Sequence, residues 1–346
     1  YLITQAKCDL KRELYKVGRG NGLHIYACKA FTNSASSLIK RIAESISFML
    51  WTFISLVRTR TTSVYVATDP PVLVPFVVAI YCRLFDAKYV YHLQDIHPEV
   101  ANIVVPLSGL VMKLLLAIDN YTLRHAKALV TLSEDMKSYL LERSNTCSPI
   151  YVLDNPSFDM VSAPIAQRSK DIVFCGNAGR LQRIPLLITA IREYLQKGGK
   201  FRFTFCGGGV HVPEVKALAD AYDQVEYLGI IPASDAAELV NQHRWALLPI
   251  DDEVTKYAFP SKSSGYALSG AGVLAVCGDN TSVARWVEQH EVGLVCAADH
   301  DALVSCFFSL ESNTHGPFMM GHDMRAKLQI PYFAQHLSDI IFAQFE

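Results

Sequence analysis

Two basic residues in the second half of the chain are of the type, and in the setting, needed to hold a diphosphate. Lys262 follows a proline and a serine in FPSKSSGYALSGAGVLAV (259–276), at the predicted start of a small-residue helix. A lysine charge and the free N–H groups of a helix start both attract anions. Arg180 follows Gly176 and Gly179 in GNAGRLQR, where its guanidinium can bond phosphate oxygens in pairs. Each stretch alone is better explained as an ordinary turn, so the interpretation depends on their order along the chain.

A third polar group stands where a predicted strand ends, in HLQDIHPEV (92–100). Asp95 and His97 bring a carboxylate and an imidazole close together, and such a pair can take a proton or orient a substrate hydroxyl. The alternative is a solvated loop with an aspartate cap. The position at a strand terminus favours a functional role. The residues that we assign to this group are His92, Gln94, Asp95, His97 and Glu99.

Composition limits the class of protein. A chain of 346 residues is long for one hydrophobic core, so two domains are expected. A net charge of −1 argues against nucleic-acid binding. The nine cysteines are scattered without a CxxC pair, which favours free thiols in a reducing cytoplasm over disulfides or a zinc site. Asp251 and Asp252 could bind a metal, but no third ligand is evident, and we expect a solvated loop there and no metal.

Residues 38–57 have the periodicity of an amphipathic helix. The opposite face of this helix carries Phe48 and Trp51 beside Lys40 and Arg41, which predicts either contact with a membrane surface or cover by a neighbouring helix. The uncharged segment 45–57 is shorter than the ~20 apolar residues of a spanning helix, so no transmembrane segment or signal peptide is expected. The residues expected to face the core are Leu38, Ile39, Ile42, Ile46, Met49, Leu50, Phe53 and Val57.

Strand-like and helix-like segments then alternate along the whole chain, which predicts an α/β fold with doubly wound parallel sheets. We place a first Rossmann-like domain at 1–157, whose opening β–α unit is expected to be missing from this chain. A second domain follows at 158–323 after a turn-rich linker, and 324–346 forms a helix that returns to the first domain. Ligands of such sheets bind beyond the carboxyl ends of the strands, so a cleft between the domains is the expected site.

Five stretches in this order resemble the GT-B glycosyltransferases of the retaining family 4, which includes bacterial mannosyl-, N-acetylglucosaminyl- and N-acetylfucosaminyltransferases. They are SVYVATDPPVLV, YVYHLQDIHPE, ALVTLSEDMKSYL, VFCGNAGRLQRIPLLITAI and FPSKSSGYALSGAGVLAV. The resemblance covers nearly the whole chain. It implies two domains that face each other across a cleft and a C-terminal helix that returns to the first domain.

The resemblance also implies an activity and its residues. A sugar would move from a nucleotide diphosphate, UDP more readily than GDP, to a lipid-linked or saccharide acceptor of surface-polysaccharide assembly at the cytoplasmic membrane face. Arg180 and Lys262 would hold the diphosphate without a metal or another cofactor, and Asp95 and its neighbours would face the acceptor. The full donor-side set that we expect is Asn177, Gly179, Arg180, Arg183, Ser261, Lys262, Ser263, Ser264 and Gly265.

The chain departs from the family pattern where a glutamate normally binds the ribose. Gly265 occupies that position, three residues after the lysine, and Tyr257 occupies that of the earlier glutamate. The loss of two hydrogen bonds to a ribose would cost roughly 1.5–3 kcal/mol of donor binding, unless Ser263 or Ser264 substitutes. These departures, with Gln94 in place of a histidine, also fit a non-catalytic scaffolding relative. A sugar-nucleotide epimerase shares the fold, but would leave the polar group at 92–100 without a role.

Overall fold

The computed structural model describes residues 1–32, 38–158, 168–312, 318 and 320–345. Its contacts divide the chain into two compact units. The first unit comprises 1–131, 137–151 and 340–346, and the second comprises 132–136 and 152–339. Much of the predicted linker, and residues 33–37 before the helix that begins at Leu38, lie outside the described residues.

The described part of the first unit contains six strands and helices of 6 to 22 residues. Its strands form a two-stranded parallel sheet of β1 and β2 and a four-stranded sheet in the order β3-β4-β5-β6. The strands are β1 (Leu2–Ala6), β2 (Ile25–Lys29), β3 (Ser63–Ala67), β4 (Lys88–His92), β5 (Ala128–Thr131) and β6 (Ile150–Val152). The helices are α1 (Leu10–Lys16), α2 (Leu38–Thr59), α3 (Leu73–Leu84), α4 (Glu99–Val104), α5 (Gly109–His125) and α6 (Glu134–Ser144), the last shared between the two units.

A cavity of about 490 Å³ separates the two sheets of the first unit. Residues of β1 and of β3 line it, while α2 and α3 contribute Phe48 and Val74. The buried Nε2 atom of Gln5 lies in this region without a hydrogen-bond partner among the described residues. The two sheets therefore approach each other without joining into one.

The second unit contains a single six-stranded parallel sheet in the order β12-β11-β10-β7-β8-β9. Buried aliphatic and aromatic side chains on its strands and on α7 and α12 form the core. This all-parallel, alternating arrangement confirms the predicted α/β class. The strands are β7 (Lys170–Cys175), β8 (Phe203–Cys206), β9 (Val225–Tyr227), β10 (His243–Pro249), β11 (Gly272–Val276) and β12 (Gly293–Cys296).

The helices of the second unit follow its strands. The predicted C-terminal helix is interrupted, since α13 ends at Lys327 and α14 begins at Ile330. The last residues of α14, from Ile340 onward, group with the first unit. The helices are α7 (Ile184–Gln196), α8 (Val212–Ala221), α9 (Ala233–Asn241), α10 (Lys262–Ser269), α11 (Ser282–Gln289), α12 (His300–Ser312), α13 (His322–Lys327) and α14 (Ile330–Phe345).

The orientation of α2 differs in part from the one predicted from its periodicity, and of the two predicted alternatives for Phe48 the structure shows cover by neighbouring elements. Phe48 and Ser55, expected on the outer face, are 5% and 2% exposed. Trp51 is half-buried, and its indole N–H donates to the carbonyl of Tyr26 at 3.3 Å. The predicted core stripe is divided: Met49, Phe53 and Val57 are half-buried, whereas Ile39 is 80% and Leu50 54% exposed. The packing of α2 on α3 and β1 decides this orientation. The periodicity of the sequence alone does not predict it.

Helix α2 is also longer than the uncharged segment inside it. By length and composition it is able to cross a membrane, with an 18-residue window of mean hydropathy 1.2 within Ile39–Thr59. Only 22% of that window is buried. Core helices of soluble proteins pass the same test, so the exposed stripe, and not the length, is the distinctive feature of α2.

Candidate functional site

The side chain of Lys262 is the centre of the candidate donor site. Lys262 is the first residue of α10, as predicted. Its Nζ atom is buried, has no hydrogen-bond partner among the described residues, and lies 4.3 Å from the centre of the Phe174 ring. Burial lowers the pKa of Lys262 to about 8, while the nearby thiols of Cys175 and Cys206 oppose this shift. An unpaired, buried cation at the start of a helix is suited to an anionic ligand. Such a ligand would compensate the cation for the water that burial removes.

The turn after β7 makes room for this lysine. Gly176 has a φ of +145°, and a Cβ atom on it would lie 2.8 Å from Lys262 Nζ. Gly207, at the end of β8, has a φ of +119°, and a Cβ there would lie 1.9 Å from the carbonyl oxygen of Gly176. Glycine is therefore required at both positions, because the two turns contact each other through backbone atoms.

Two arginines of this turn have different environments. Arg180 is exposed, whereas Arg183 is half-buried and donates through Nε to the carbonyl of Ile250 at 3.0 Å. Arg183 also pairs with Asp252 at 3.1 Å and Asp251 at 3.5 Å. The two carboxylates predicted to stand in a solvated loop thus hold Arg183.

The remaining donor-side residues fall into exposed and buried positions. Asn177 and Ser261 are exposed, and Gly179 is buried. Ser263 is buried and donates to the carbonyl of Pro260 at 2.9 Å. Ser264 is 1% exposed, and its Oγ has no hydrogen-bond partner among the described residues. The structure therefore leaves Ser264 and not Ser263 with an available hydroxyl.

The space at Gly265 is limited on one side. A Cβ atom on Gly265 would lie 3.2 Å from Ser157 Oγ. That distance is tight but adjustable, because the contacting atom belongs to a small side chain. A glutamate at position 265 would therefore require a small movement of Ser157. Local packing thus favours the glycine at this position.

The polar group at the end of β4 combines two titratable side chains with shifted pKa values. Asp95 and His97 are both half-buried. Burial raises the pKa of Asp95, which His97 partly offsets and Asp69 reinforces. Burial lowers the pKa of His97, against the attraction of Asp95 and two further carboxylates. Gln94 is exposed, and its backbone N–H donates to Thr68 Oγ1 at 3.0 Å. Both shifts favour the neutral forms, which are the protonated carboxyl of Asp95 and the unprotonated imidazole of His97.

The other two residues predicted for this group are buried. His92 is 2% exposed, and its Nδ1 lies 2.6 Å from the hydroxyl of Tyr65. Burial lowers the pKa of His92 to about 4, so its ring is neutral at pH 7. Glu99 is 5% exposed and bonds Arg143 Nη1 at 2.7 Å and the hydroxyl of Tyr139 at 2.7 Å. The structure thus gives Glu99 protein partners in place of the predicted acceptor-facing position.

The ion cluster around Glu99 was not found from the sequence. Arg143 on α6 also bonds Asp119 on α5 and the carbonyl of His97. Asp119 is 1% exposed, and burial raises its pKa to about 6. The sequence feature that could have revealed this cluster is Asp119, a lone aspartate within the apolar run of α5. The cluster fixes the backbone of His97 and thereby supports the adjacent Asp95.

A metal centre is not apparent near the predicted donor residues in the described ranges. The structure brings together one group of potential ligands, Glu193, His300 and Asp301, within 4.8 Å. Glu193 and His300 are half-buried and Asp301 is exposed. Such acidic surface groups commonly hold no ion, and Glu193 already pairs with Lys197 at 2.6 Å.

Comparison with known proteins identifies both halves of the chain. Residues 9–155 match the family "Glycosyl transferase 4-like domain", and residues 169–313 match "Glycosyl transferases group 1". A relative from Pseudomonas aeruginosa named "Probable glycosyltransferase WbjE" is 23% identical over 281 residues, which are 77% of this chain and 70% of that protein.

Solved structures show the same architecture at low sequence identity. Sucrose-phosphate synthase from Thermosynechococcus elongatus superimposes with a TM-score of 0.71 and 14% identity, covering 99% of this chain and 95% of that one. HepE from Anabaena, solved in complex with UDP, gives a TM-score of 0.68 and 13% identity over 98% of this chain and 91% of that one. The two halves of the chain thus each match a glycosyltransferase family model, and together they have the GT-B fold.

Proposed function

We propose that this glycosyltransferase moves a sugar from a UDP-sugar to a lipid-linked or oligosaccharide acceptor of surface-polysaccharide assembly, with retention of the anomeric configuration. The observation that carries the donor part is the buried, unpartnered Nζ of Lys262 at the start of α10. UDP is supported by its presence in the solved HepE complex. The acceptor class and the retaining outcome rest on the family resemblance of the chain.

The diphosphate would be held by cations of the protein, without a metal or other cofactor. Lys262 supplies a point charge, the exposed guanidinium of Arg180 bonds phosphate oxygens, and the free N–H groups of α10 add to the attraction. Asn177, Gly179 and Ser261 flank these groups in the same two stretches. Arg183 acts as a positioning residue, because Asp252 and the carbonyl of Ile250 already bind it.

The available hydroxyl of Ser264 is the best substitute for the absent ribose-binding glutamate. Its Oγ is unpartnered in the described part of the chain, while Ser263 is already bonded to Pro260. A single hydroxyl replaces a bidentate carboxylate only in part. We therefore expect the enzyme to bind UDP more weakly than a relative with glutamate at position 265.

The acceptor hydroxyl would be oriented by Asp95 and His97, with exposed Gln94 as a further hydrogen-bonding group. His92 and Glu99 hold the end of β4 and the start of α4 from behind. The transfer step requires a group that takes the acceptor proton. The ionised carboxylate of Asp95 would do so, and the raised pKa makes this carboxylate a stronger base.

Substitution of Asp95 by asparagine tests this assignment. The change keeps the shape but removes the proton acceptor, so we expect kcat for sugar transfer to fall by about 10²–10⁴-fold. The Kd for UDP, measured by calorimetry, should stay unchanged, because the donor residues lie on other elements. Asp86→Asn, at an exposed carboxylate just after α3, serves as the matched control.

The outcomes distinguish the proposed transferase from its rivals. Transfer by the Asp95→Asn variant at the wild-type rate would contradict the role of Asp95. If the wild-type protein binds UDP but transfers and hydrolyses none of a panel of UDP- and GDP-sugars, the non-catalytic scaffolding relative becomes the better description. Absence of both binding and turnover would overturn the donor site itself.

The exposed stripe of α2 is the surface that we propose for peripheral contact with the membrane. The predicted contact through 40–51 stays in the same helix but moves to another face, because Phe48 is buried. Exposed Lys40 and Arg58 near the two ends of α2 suit anionic headgroups. The stripe comprises Ile39, Ile42, Ile46, Leu50 and Ile54, which are 80%, 48%, 42%, 54% and 44% exposed.

A charge-insertion experiment tests the membrane surface. We expect the double variant Ile46→Glu/Leu50→Glu to lose co-sedimentation with vesicles of anionic and zwitterionic phospholipid, because apolar burial and basic attraction drive such binding. The control is Val210→Glu/Ile230→Glu, which places the same charges at exposed apolar residues of the second unit. Equal binding by both double variants would contradict the assignment of the stripe.

A further inference from the structure

Two cysteines lie side by side at the floor of the donor site. Cys175 is the last residue of β7 and Cys206 is the last residue of β8. The two strands are parallel and pair these residues in register, with the Sγ atoms 2.8 Å apart. Strand neighbours are about 4.8 Å apart, which falls within the Cα separations that disulfides span. Both thiols are free in the structure.

The two thiols differ in a way that suits an attacking and a resolving pair. Cys206 donates a hydrogen bond to Cys175, and this bond lowers the pKa of Cys175, with the charge of Lys262 adding to the effect. The same bond and burial raise the pKa of Cys206. Cys175 is half-buried, while Cys206 is 2% exposed. Cys175 is therefore the thiol that a small oxidant reaches first as a thiolate.

The backbone at these cysteines is part of the candidate donor site. The N–H of Gly176 donates to the carbonyl of Cys206 at 2.9 Å. The hydroxyl of Tyr266 on α10 bonds both the N–H and the carbonyl of Cys175, at 3.0 and 2.8 Å. Any change at the thiols is thus adjacent to the turn that supports Lys262.

We propose that Cys175 and Cys206 are a modification site, a dithiol that a peroxide converts into a disulfide at the floor of the donor site. The Cys175 thiolate attacks one peroxide oxygen, the O–O bond breaks, and the departing hydroxide takes up a proton to form water. The Cys206 sulfur then attacks the Cys175 sulfenic acid, its S–O bond breaks, and the released hydroxide takes the Cys206 proton. Two thiols lose two electrons and hydrogen peroxide gains them. In a reducing compartment the product would be transient.

The proposal also predicts an effect of the donor. If the diphosphate binds Lys262, it covers the approach to Cys175, so bound UDP should slow the oxidation. This second part rests on the proposed function, whereas disulfide formation itself does not.

Mass spectrometry of the full-length chain tests the dithiol. After treatment with hydrogen peroxide and alkylation of the remaining thiols, we expect the peptides of Cys175 and Cys206 to be joined. Cys206→Ser should instead yield a Cys175 sulfenic acid that dimedone traps. Cys147→Ser, at an exposed thiol, should leave the disulfide unchanged. If Cys175 and Cys206 are both still free to be alkylated at a peroxide dose that has already oxidised the exposed Cys147, the proposal is wrong.

Oxidation in the presence of UDP tests the effect of the donor separately from disulfide formation. At a UDP concentration ten times its Kd, the oxidation rate should fall about tenfold, because only the free protein reacts. A disulfide that forms equally fast with bound UDP keeps the dithiol but overturns its placement beneath the donor. Calorimetry on the same sample shows whether UDP binds at all, and so tells failure of the proposed function from failure of this inference.

Discussion

Replacement of Lys262 by methionine is expected to weaken UDP binding by roughly 10- to 150-fold at pH 7, the equivalent of a lost charge-assisted hydrogen bond of about 1.5–3 kcal/mol. Methionine fills the space above Gly176 with a side chain of similar length and leaves the diphosphate without its point charge. The Nζ atom has no protein partner in the described ranges, so its removal breaks no hydrogen bond that the fold needs. Calorimetry with UDP measures the change. Lys256→Met, at an exposed lysine of the preceding turn, is the matched control.

The same experiment has a proton-linked signature. Burial lowers the pKa of Lys262 to about 8, so in the free protein much of this amine is neutral above that pH. A bound diphosphate favours the charged form and raises the pKa again. UDP binding should therefore take up a proton at Lys262 between about pH 8 and 10, and this uptake should decline as the pH is lowered to 7.

Calorimetry in buffers of different ionisation enthalpy measures this uptake directly. The wild-type protein and Lys256→Met should both show it, and Lys262→Met should not. A wild-type affinity for UDP in Lys262→Met, with proton uptake unchanged, would show that the diphosphate binds elsewhere.

Replacement of Arg143 by methionine is expected to destabilise the protein by about 3–5 kcal/mol, because it leaves Glu99 and Asp119 buried without their shared cation. The two carboxylates are 5% and 1% exposed, so water cannot replace the guanidinium. The loss of support at the carbonyl of His97 should also lower transfer activity. Differential scanning calorimetry measures the change in unfolding temperature.

The pH dependence gives the sign of this effect. The pKa of Asp119 is already raised to about 6 beside Arg143, and removal of the cation raises it further. At pH 7 the variant must bury an ionised carboxylate or bind a proton, whereas below about pH 6 the group is protonated more readily. The stability difference between wild type and variant should thus shrink as the pH falls from 7 to 5.

Two further variants make this result specific. Addition of Asp119→Asn to Arg143→Met should recover part of the lost stability, since one buried charge is removed. Arg285→Met breaks the partly exposed pair with Asp135 and should cost less than about 1 kcal/mol. A loss in Arg143→Met no larger than in Arg285→Met would contradict the importance of the buried cluster.

The sequence and the structure agree best where the evidence is local. The alternation of strands and helices and the start of α10 at Lys262 both depend on neighbouring residues. The glycine-containing turn after β7 was also visible in GNAGRLQR. Such features are set by backbone conformation within a few residues, so a single sequence contains them.

The disagreements arise where a distant element decides. Periodicity showed that α2 has an apolar stripe, but the contacts of α2 with α3 and β1 bury Phe48 and Leu56 and leave Ile39 and Leu50 exposed. Glu99 stood in a polar stretch of sequence, yet Arg143, 44 residues later, binds it inside the fold. Arg183 likewise has a partner inside the fold, because it forms an ion pair with Asp252.

The chain by itself thus determined an α/β fold, the order of its donor-like and acceptor-like stretches, and the presence of two cations suited to a diphosphate. Only the tertiary structure decided which charged groups already have partners. Arg183 and Glu99 are bound by protein groups, while Lys262 is buried with its Nζ unpaired among the described residues. The reason is physical: whether a charge is paired or desolvated depends on side chains brought from remote segments, and no local pattern encodes them.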